Sequence, residues 1–279
     1  MGVGEDWSAA AELYAERAKY MTYPFAKLAV AEANNLSPLG GPKTHVLDVG
    51  CGSGAVESML QEAFPGTRML AVDCSEAMLK FVDSQRLPMV TTELADGTNL
   101  SPILARHPQG FSHVFSNFMN QFAPDPFKPV TEMVRATRSG GAIGLASWGR
   151  MDVPDIIESA ARCIDPAWQS PGPLATKDFP ESASLLERLF RDELGLVEVK
   201  CQTMSVRYDF KTPDDCLAYI FECQNPAIVK IIRNFQNFTG ETTLQRLRDQ
   251  IAAMFAAGAW DATALSCQGF VTVGRKPSP

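Results

Sequence analysis

Val46-Leu47-Asp48-Val49-Gly50-Cys51-Gly52-Ser53-Gly54 decides the fold. Apolar residues surround one acid, and three glycines then fall at every second position. Ala55 to Phe64 continue with helical character. This is the pattern of a buried strand that turns tightly into a helix N-terminus. Glycines at such a turn adopt backbone angles closed to other residues and let a ligand approach the main chain. The helix start adds unpaired N–H groups and the positive end of a dipole.

Outward from this turn, strands alternate with helices. The predicted strands are Thr44–Gly50, Arg68–Asp73, Met89–Asp96, Phe111–Phe118 and Ala142–Trp148. Helices are predicted over Ser53–Phe64, Ser75–Gln85 (capped by Ser75), Ser101–His107 and Phe127–Arg138, the last stopped by Ser139-Gly140-Gly141. Such alternation implies an α/β fold, a parallel sheet with right-handed crossovers. Ligands bind such sheets at the carboxyl ends of the strands, near the switch point beside the first strand.

Three segments follow from this reading. Residues 1–42 form an N-terminal helical arm rich in aromatics, including Tyr14, Tyr20 and Tyr23, which either packs the core or closes over a ligand. Residues 43–150 form the ligand-binding core. Residues 151–279 continue it, with helices over Pro154–Cys163 and Glu181–Leu194, strands over Glu198–Phe210 and Leu265–Val273, and a helical region over about 213–258 that Thr212 and Pro213 begin.

The chain has 279 residues, 46% of them hydrophobic, enough for a large core. A net charge of −7 argues against a nucleic-acid partner. No apolar run reaches the length of a membrane span, and no signal peptide is visible at Met1-Gly2-Val3-Gly4-Glu5-Asp6. The seven cysteines form no CxxC pair and only His45, His107 and His113 are present, so neither a disulfide framework nor a metal site is expected. A cytoplasmic, monomeric protein follows as the expectation.

Acids stand at successive strand ends: Asp48, Asp73 and Asp96. Asp73 lies 19 residues beyond Gly54, a spacing suited to a ribose diol, whose two donors match the two oxygens of a carboxylate. Two nucleoside cofactors compete for this arrangement. Gly50-Cys51-Gly52-Ser53-Gly54-Ala55 loosely satisfies the dinucleotide pattern, but Asp48 would then face a pyrophosphate. A sulfonium nucleoside with an amino-acid tail fits better. Asp48 then helps orient the ammonium side, and Asp96 with Gly97 stands where an adenine amino group binds.

The same residues resemble the class I S-adenosylmethionine-dependent methyltransferases. VLDVGCGSG looks like their first motif, and AVDCSEAML (Ala71–Leu79) resembles the second, which implies Asp73 on the ribose and Met78 near adenine. LADGTNL (Leu94–Leu100) resembles the third, adenine-contacting motif. SNFMNQF (Ser116–Phe122) sits where the fourth lines the transfer cleft, and RSGGAIGLASW (Arg138–Trp148) matches the fifth strand. The resemblance covers residues 10 to 150. It implies a Rossmann-like, seven-stranded, mostly parallel sheet with an antiparallel last strand, and a helical lid inserted over about 211–262. It also implies S-adenosyl-L-methionine as cofactor, held by Tyr20, Asp48, Gly50, Gly52, Gly54, Asp73, Cys74, Met78, Asp96, Gly97 and Asn117. Ser116-Asn117-Phe118-Met119 departs from the NPPY-type motif, so a nucleobase or glutamine-amide acceptor is not supported.

A hydroxyl acceptor usually needs a general base, most often histidine. No histidine follows the fourth strand, while Asp125, Asp152 and Glu222 are carboxylates with equally good reasons to be solvated. No catalytic residue is therefore assigned. An acceptor that is already nucleophilic fits best, with a thiol preferred over an amine or hydroxyl. Phe118, Phe122 and Trp148 are expected to line an apolar cleft for a small metabolite. The layout also resembles small-molecule methyltransferases of fungal secondary metabolism, including enzymes that S-methylate dithiols. A nicotinamide-dependent oxidoreductase and a non-catalytic cofactor-binding scaffold are the alternatives.

Overall fold

The computed structural model describes residues 7, 11, 19–172, 179–222, 225–240 and 244–278, with the side chains of residues 19 and 20 excepted. In chain order the elements are α1 (Lys19–Leu36), β1 (His45–Val49), α2 (Ala55–Ala63), β2 (Arg68–Asp73), α3 (Glu76–Ser84), β3 (Val90–Leu94) and α4 (Ser101–Arg106). Then come β4 (Phe111–Asn117), a 3₁₀ turn (Asn120–Phe122), α5 (Phe127–Ala136), β5 (Thr137–Met151), α6 (Asp152–Ile164) and α7 (Ala183–Arg188). A π-helical turn over Leu189–Glu193 extends α7. β6 (Val197–Asp209), α8 (Pro213–Glu222), α9 (Pro226–Thr239), α10 (Gln245–Ala256) and β7 (Ala264–Arg275) complete the fold.

Seven strands form one sheet in the order β3-β2-β1-β4-β5-β7-β6. The first five are parallel, with Asp48 opposite Ala71 and Phe115, Asp73 opposite Leu94, and Asn117 opposite Ala146. β7 runs the other way. Its end lies beside the start of β5, where the Gly140 N–H donates to the Lys276 carbonyl, and Gly269 near its start lies beside Ser147. The sheet order reverses between β1 and β4, so the switch point falls where the chain leaves Val49 and Asn117.

Burial explains why β1 reads as a nearly unbroken apolar run. A central parallel strand is covered on both faces, and Val46, Leu47 and Val49 are all inaccessible to solvent. Leu47, Val49, Leu70, Val72, Val114 and Ile143 share one core with Val130 and Met133 of α5. Each such side chain contributes about 1.5–3 kcal/mol by leaving water.

The chain divides into two compact units. One comprises residues 1–149, 175–204 and 269–279, the other 150–174 and 205–268. The second unit therefore includes α6 as well as the segment expected to be a lid. Its predicted single helical region is three helices, α8 to α10. Asn225 caps α9 through the Ala227 N–H, and Thr212 caps α8 through the Asp215 N–H. The Trp168 indole N–H donates to Asn234 at 2.9 Å, and the Arg248 guanidinium lies 4.3 Å from the Phe221 ring centre.

Two further expectations are corrected. Ser139-Gly140-Gly141 does not stop a helix; it lies inside β5, and α5 already ends at Ala136. A Cβ at Gly141 would come within 2.7 Å of the Ser112 carbonyl, so glycine serves close strand contact there. β3 ends at Leu94, which leaves Asp96 in the following loop.

Candidate active site

The glycine turn is wound by left-handed backbone: φ is +73° at Gly50, +53° at Gly52 and +89° at Gly54. Two hydrogen bonds fasten it to β2, from the Gly50 and Cys51 N–H groups to the Val72 carbonyl at 2.8 and 3.0 Å. Gly54 caps α2 without a side-chain acceptor, so the first N–H groups of this helix receive no capping side chain. Gly54 itself packs beneath Gln85, whose amide donates to the Ser53 carbonyl at 2.7 Å.

Asp73, at the end of β2, ties the parts together. One carboxylate oxygen accepts the Gly52 N–H and the other the Ser75 N–H, each at 2.9 Å. Burial pushes its carboxyl upward, and the hydrogen bonds from Gly52, Ser75 and Cys74 oppose that. The carboxylate borders the cavity, where the hydroxyls of a diol would reach it.

These groups border a cavity of about 410 Å³, within the usual range of small-molecule sites. Of the residues singled out from sequence, Gly50 and Gly52 line it from the turn after β1, Asp73 and Cys74 from the end of β2, and Met78 from α3. Asp96 and Gly97 line it from the loop after β3, and Asn117, Phe118 and Phe122 from the end of β4. The Asn117 amide donates to the Thr22 carbonyl at 3.3 Å, and its buried carbonyl oxygen has no partner among the described residues. Asp96 is engaged by Thr98, whose N–H and hydroxyl both donate to one carboxylate oxygen.

Three expected site residues lie elsewhere. Trp148 does not reach the wall; it stacks behind Phe118 with ring centres 3.7 Å apart. Its own main chain is held by Gln121, which both donates and accepts there. Gly54 faces Gln85, and Asp48 is buried beneath the turn. The side chain of Tyr20 and all of Tyr14 lie outside the described residues.

Asp48 has an unforeseen companion. Glu57, in the first turn of α2, is wholly buried beside Asp48. Burial raises Glu57 to about 7 and drives Asp48 well above the carboxylate range, where Glu57 and Asp73 push it further. The pair therefore holds a proton near neutrality. A folded value of about 7 against an ordinary 4.5 means the folded protein binds more protons in that interval, so stability falls as pH rises from 4.5 through 7. Glu57→Gln removes the share of this fall that Glu57 carries, so the variant is expected to be the more stable protein above pH 7 by about 1 kcal/mol or more. Thermal denaturation from pH 5 to 8 checks it; parallel curves for both proteins contradict it.

Trp7, Thr22, Cys51, Thr98 and Met119 also line the cavity and carried no individual assignment from the sequence. The Trp7 ring meets Phe122 edge-on, with centres 4.9 Å apart. Burial raises the Cys51 thiol well above its usual value and that of Cys74 to about 11, so both wall thiols stay protonated at neutral pH. None of the three histidines lines the cavity. His45 and His107 cluster with Phe111, and His113 bonds the Ser37 carbonyl at 2.8 Å. Burial lowers both His45 and His113 to about 4. Asp125 accepts the Phe127 N–H at the start of α5, and Asp152 accepts the Ser266 N–H. Among the described residues no cluster suited to a metal ion occurs and no helix is long and apolar enough to cross a membrane.

Residues 46–141 match the family described as a methyltransferase domain. Malonyl-acyl-carrier-protein O-methyltransferase of Methylococcus capsulatus is 30% identical over 131 residues, covering 46% of this chain and 45% of that protein. Trans-aconitate 2-methyltransferase of Rhodopseudomonas palustris is 28% identical over 164 residues, covering 59% of each. The chain thus spans about half the length of these curated relatives. Among solved structures, Haemonchus contortus phosphoethanolamine N-methyltransferase 2, in complex with S-adenosylhomocysteine, superposes with a TM-score of 0.57 at 15% identity, covering 100% of this chain and 61% of that one. YcgJ of Bacillus subtilis gives 0.55 at 14% identity, covering 92% of this chain and 99% of that one. At such identities the likeness concerns the fold. Residues 46–141, which hold the glycine turn and Asp73 at the switch point, thus match a methyltransferase domain.

Proposed function

We propose that the protein methylates a small, largely apolar molecule with S-adenosylmethionine. The observation that carries this reading is the Asp73 carboxylate. It is braced by Gly52 and Ser75 at the wall of a cavity, inside a segment that matches methyltransferases. When bound, the donor supplies a methyl group on a positively charged sulfur. The chain's own residues have four tasks. Asp73 accepts from the ribose hydroxyls, and Met78 and the Asp96–Gly97 loop receive the adenine. Asn117, at the end of β4, borders the ammonium end. Phe118, Phe122 and Trp7 exclude water from the acceptor.

Among the described residues no histidine or lysine lines the cavity, which supports an acceptor that needs no base from the wall. Orientation then lowers the barrier, since displacement at a sulfonium methyl needs close in-line approach. A thiol satisfies this at neutral pH by partial ionisation. A second reading, O-methylation of an ionised carboxylate, is favoured by the likeness to a malonyl O-methyltransferase. The described cysteines are all free thiols, which supports a reducing, cytoplasmic setting.

Calorimetry with S-adenosylhomocysteine is expected to show one site in the micromolar range. Methyl-labelled donor incubated with panels of thiols, carboxylic acids, phenols and amines is expected to label one class. Binding of NADH without binding of S-adenosylhomocysteine would turn the assignment to an oxidoreductase.

A further inference from the structure

Beyond β4 the chain does something sequence alone does not announce. Phe118 adopts φ +65°, the left-handed region that costs a residue with a side chain about 1–2 kcal/mol. Its ring is clamped by Trp148, stacked at 3.7 Å, and by Phe25, edge-on at 4.8 Å. Arg86 and Glu198 are the other described non-glycine residues with positive φ, and neither lines the cavity.

The turn at Phe118 is followed by Met119, whose side chain bridges two glycines of the cavity wall. A Cβ at Gly50 would fall 2.2 Å from the Met119 Cγ, and one at Gly97 would fall 2.8 Å from its Cε. The thioether chain thus lies directly on the main chain of the β1 turn and of the loop after β3. Only glycine at both points leaves it room. Asp73 and Asp96 line the same cavity, so the side chain lies among the groups expected to hold the two ends of a nucleoside. A methionine suits this place, because three rotatable bonds and a polarizable sulfur adapt to a ligand of irregular shape.

We propose that Met119 is a positioning residue for the methyl donor, an adjustable surface that the strained Phe118 holds against Gly50 and Gly97 and on which the donor seats. This rests on the reading that the cavity takes S-adenosylmethionine. A mere core-filling residue would affect stability alone. A seat for the donor changes affinity and senses occupancy directly.

The test uses the full chain labelled with ¹³C at the methionine methyls, the Met119 signal being assigned by its loss in Met119→Leu. Saturating S-adenosylhomocysteine is expected to shift that signal. Met119→Ala is expected to weaken S-adenosylhomocysteine binding about tenfold, as buried side-chain area against the ligand is lost, while Met119→Leu stays within about threefold of wild type. A Met119 signal unmoved at saturation overturns the proposal, as does unchanged or tighter binding by Met119→Ala. Absence of binding by the wild-type protein overturns the cofactor reading itself, so the two failures are told apart.

Discussion

Asp73→Ala is expected to weaken S-adenosylhomocysteine binding about a hundredfold or more. Hydrogen bonds to a charged group each contribute about 1.5–3 kcal/mol, and a ribose diol offers two. The loss extends beyond the ligand. Asp73 also receives the Gly52 and Ser75 N–H groups, so its removal frees the glycine turn from the start of α3. The turn then loses the side-chain acceptor that links it to this loop, and the ligand meets a less ordered main chain. Asp73→Asn separates the two effects. It fills the same space, but its NH₂ would confront one of the two backbone donors. It is expected to fall between wild type and alanine in affinity. Calorimetry measures both variants; an alanine variant with wild-type affinity would remove Asp73 from the site and the proposed cofactor with it.

What was legible in the sequence follows from what each pattern encodes. β1 and its turn were legible because three glycines at alternate positions have one economical explanation, and their φ values of +73°, +53° and +89° supply it. Asp73 was legible because its distance from the turn is fixed by one helix and one strand. Asp48 was legible as an acid near the turn but not as a buried one, since its fate depends on Glu57 nine residues on. Nothing in Ala55-Val56-Glu57-Ser58 marks that glutamate as inaccessible. Trp148 was placed on the wall by its position at a strand end, yet Phe118, turned into the left-handed region, takes the wall and leaves Trp148 behind it. Such a backbone angle at a phenylalanine has no local signature. Ser139-Gly140-Gly141 reads as a helix stop for a related reason: glycine marks a turn as readily as a close strand crossing, and only the neighbouring Ser112 carbonyl decides.

The glycine turn offers a second large effect, in which stability and affinity separate. Gly52 and Gly50 have the same handedness, so alanine at either is strained by about 1–2 kcal/mol. Their surroundings differ. A Cβ at Gly52 meets nothing within 4 Å, whereas one at Gly50 falls 2.2 Å from the Met119 Cγ and 2.5 Å from its Cβ. The second of these atoms is rooted in the backbone and cannot swing aside as a chain end does. Gly50→Ala is therefore expected to cost more stability, by about 1–3 kcal/mol of overpacking beyond the shared strain. Gly52→Ala is expected to fold with a melting temperature only about 3–6 °C below wild type. Its new methyl, however, projects from a residue that lines the cavity, where a ligand would approach the main chain. Binding of S-adenosylhomocysteine is expected to weaken at least about tenfold there, a loss that exceeds what its modest destabilisation explains. Melting curves and calorimetry on the two variants check this together. Equal stability of both would show that Met119 does not press on Gly50. Wild-type affinity in Gly52→Ala would show that the ligand stands clear of the turn, and the cavity's role would then have to be sought on the aromatic side alone.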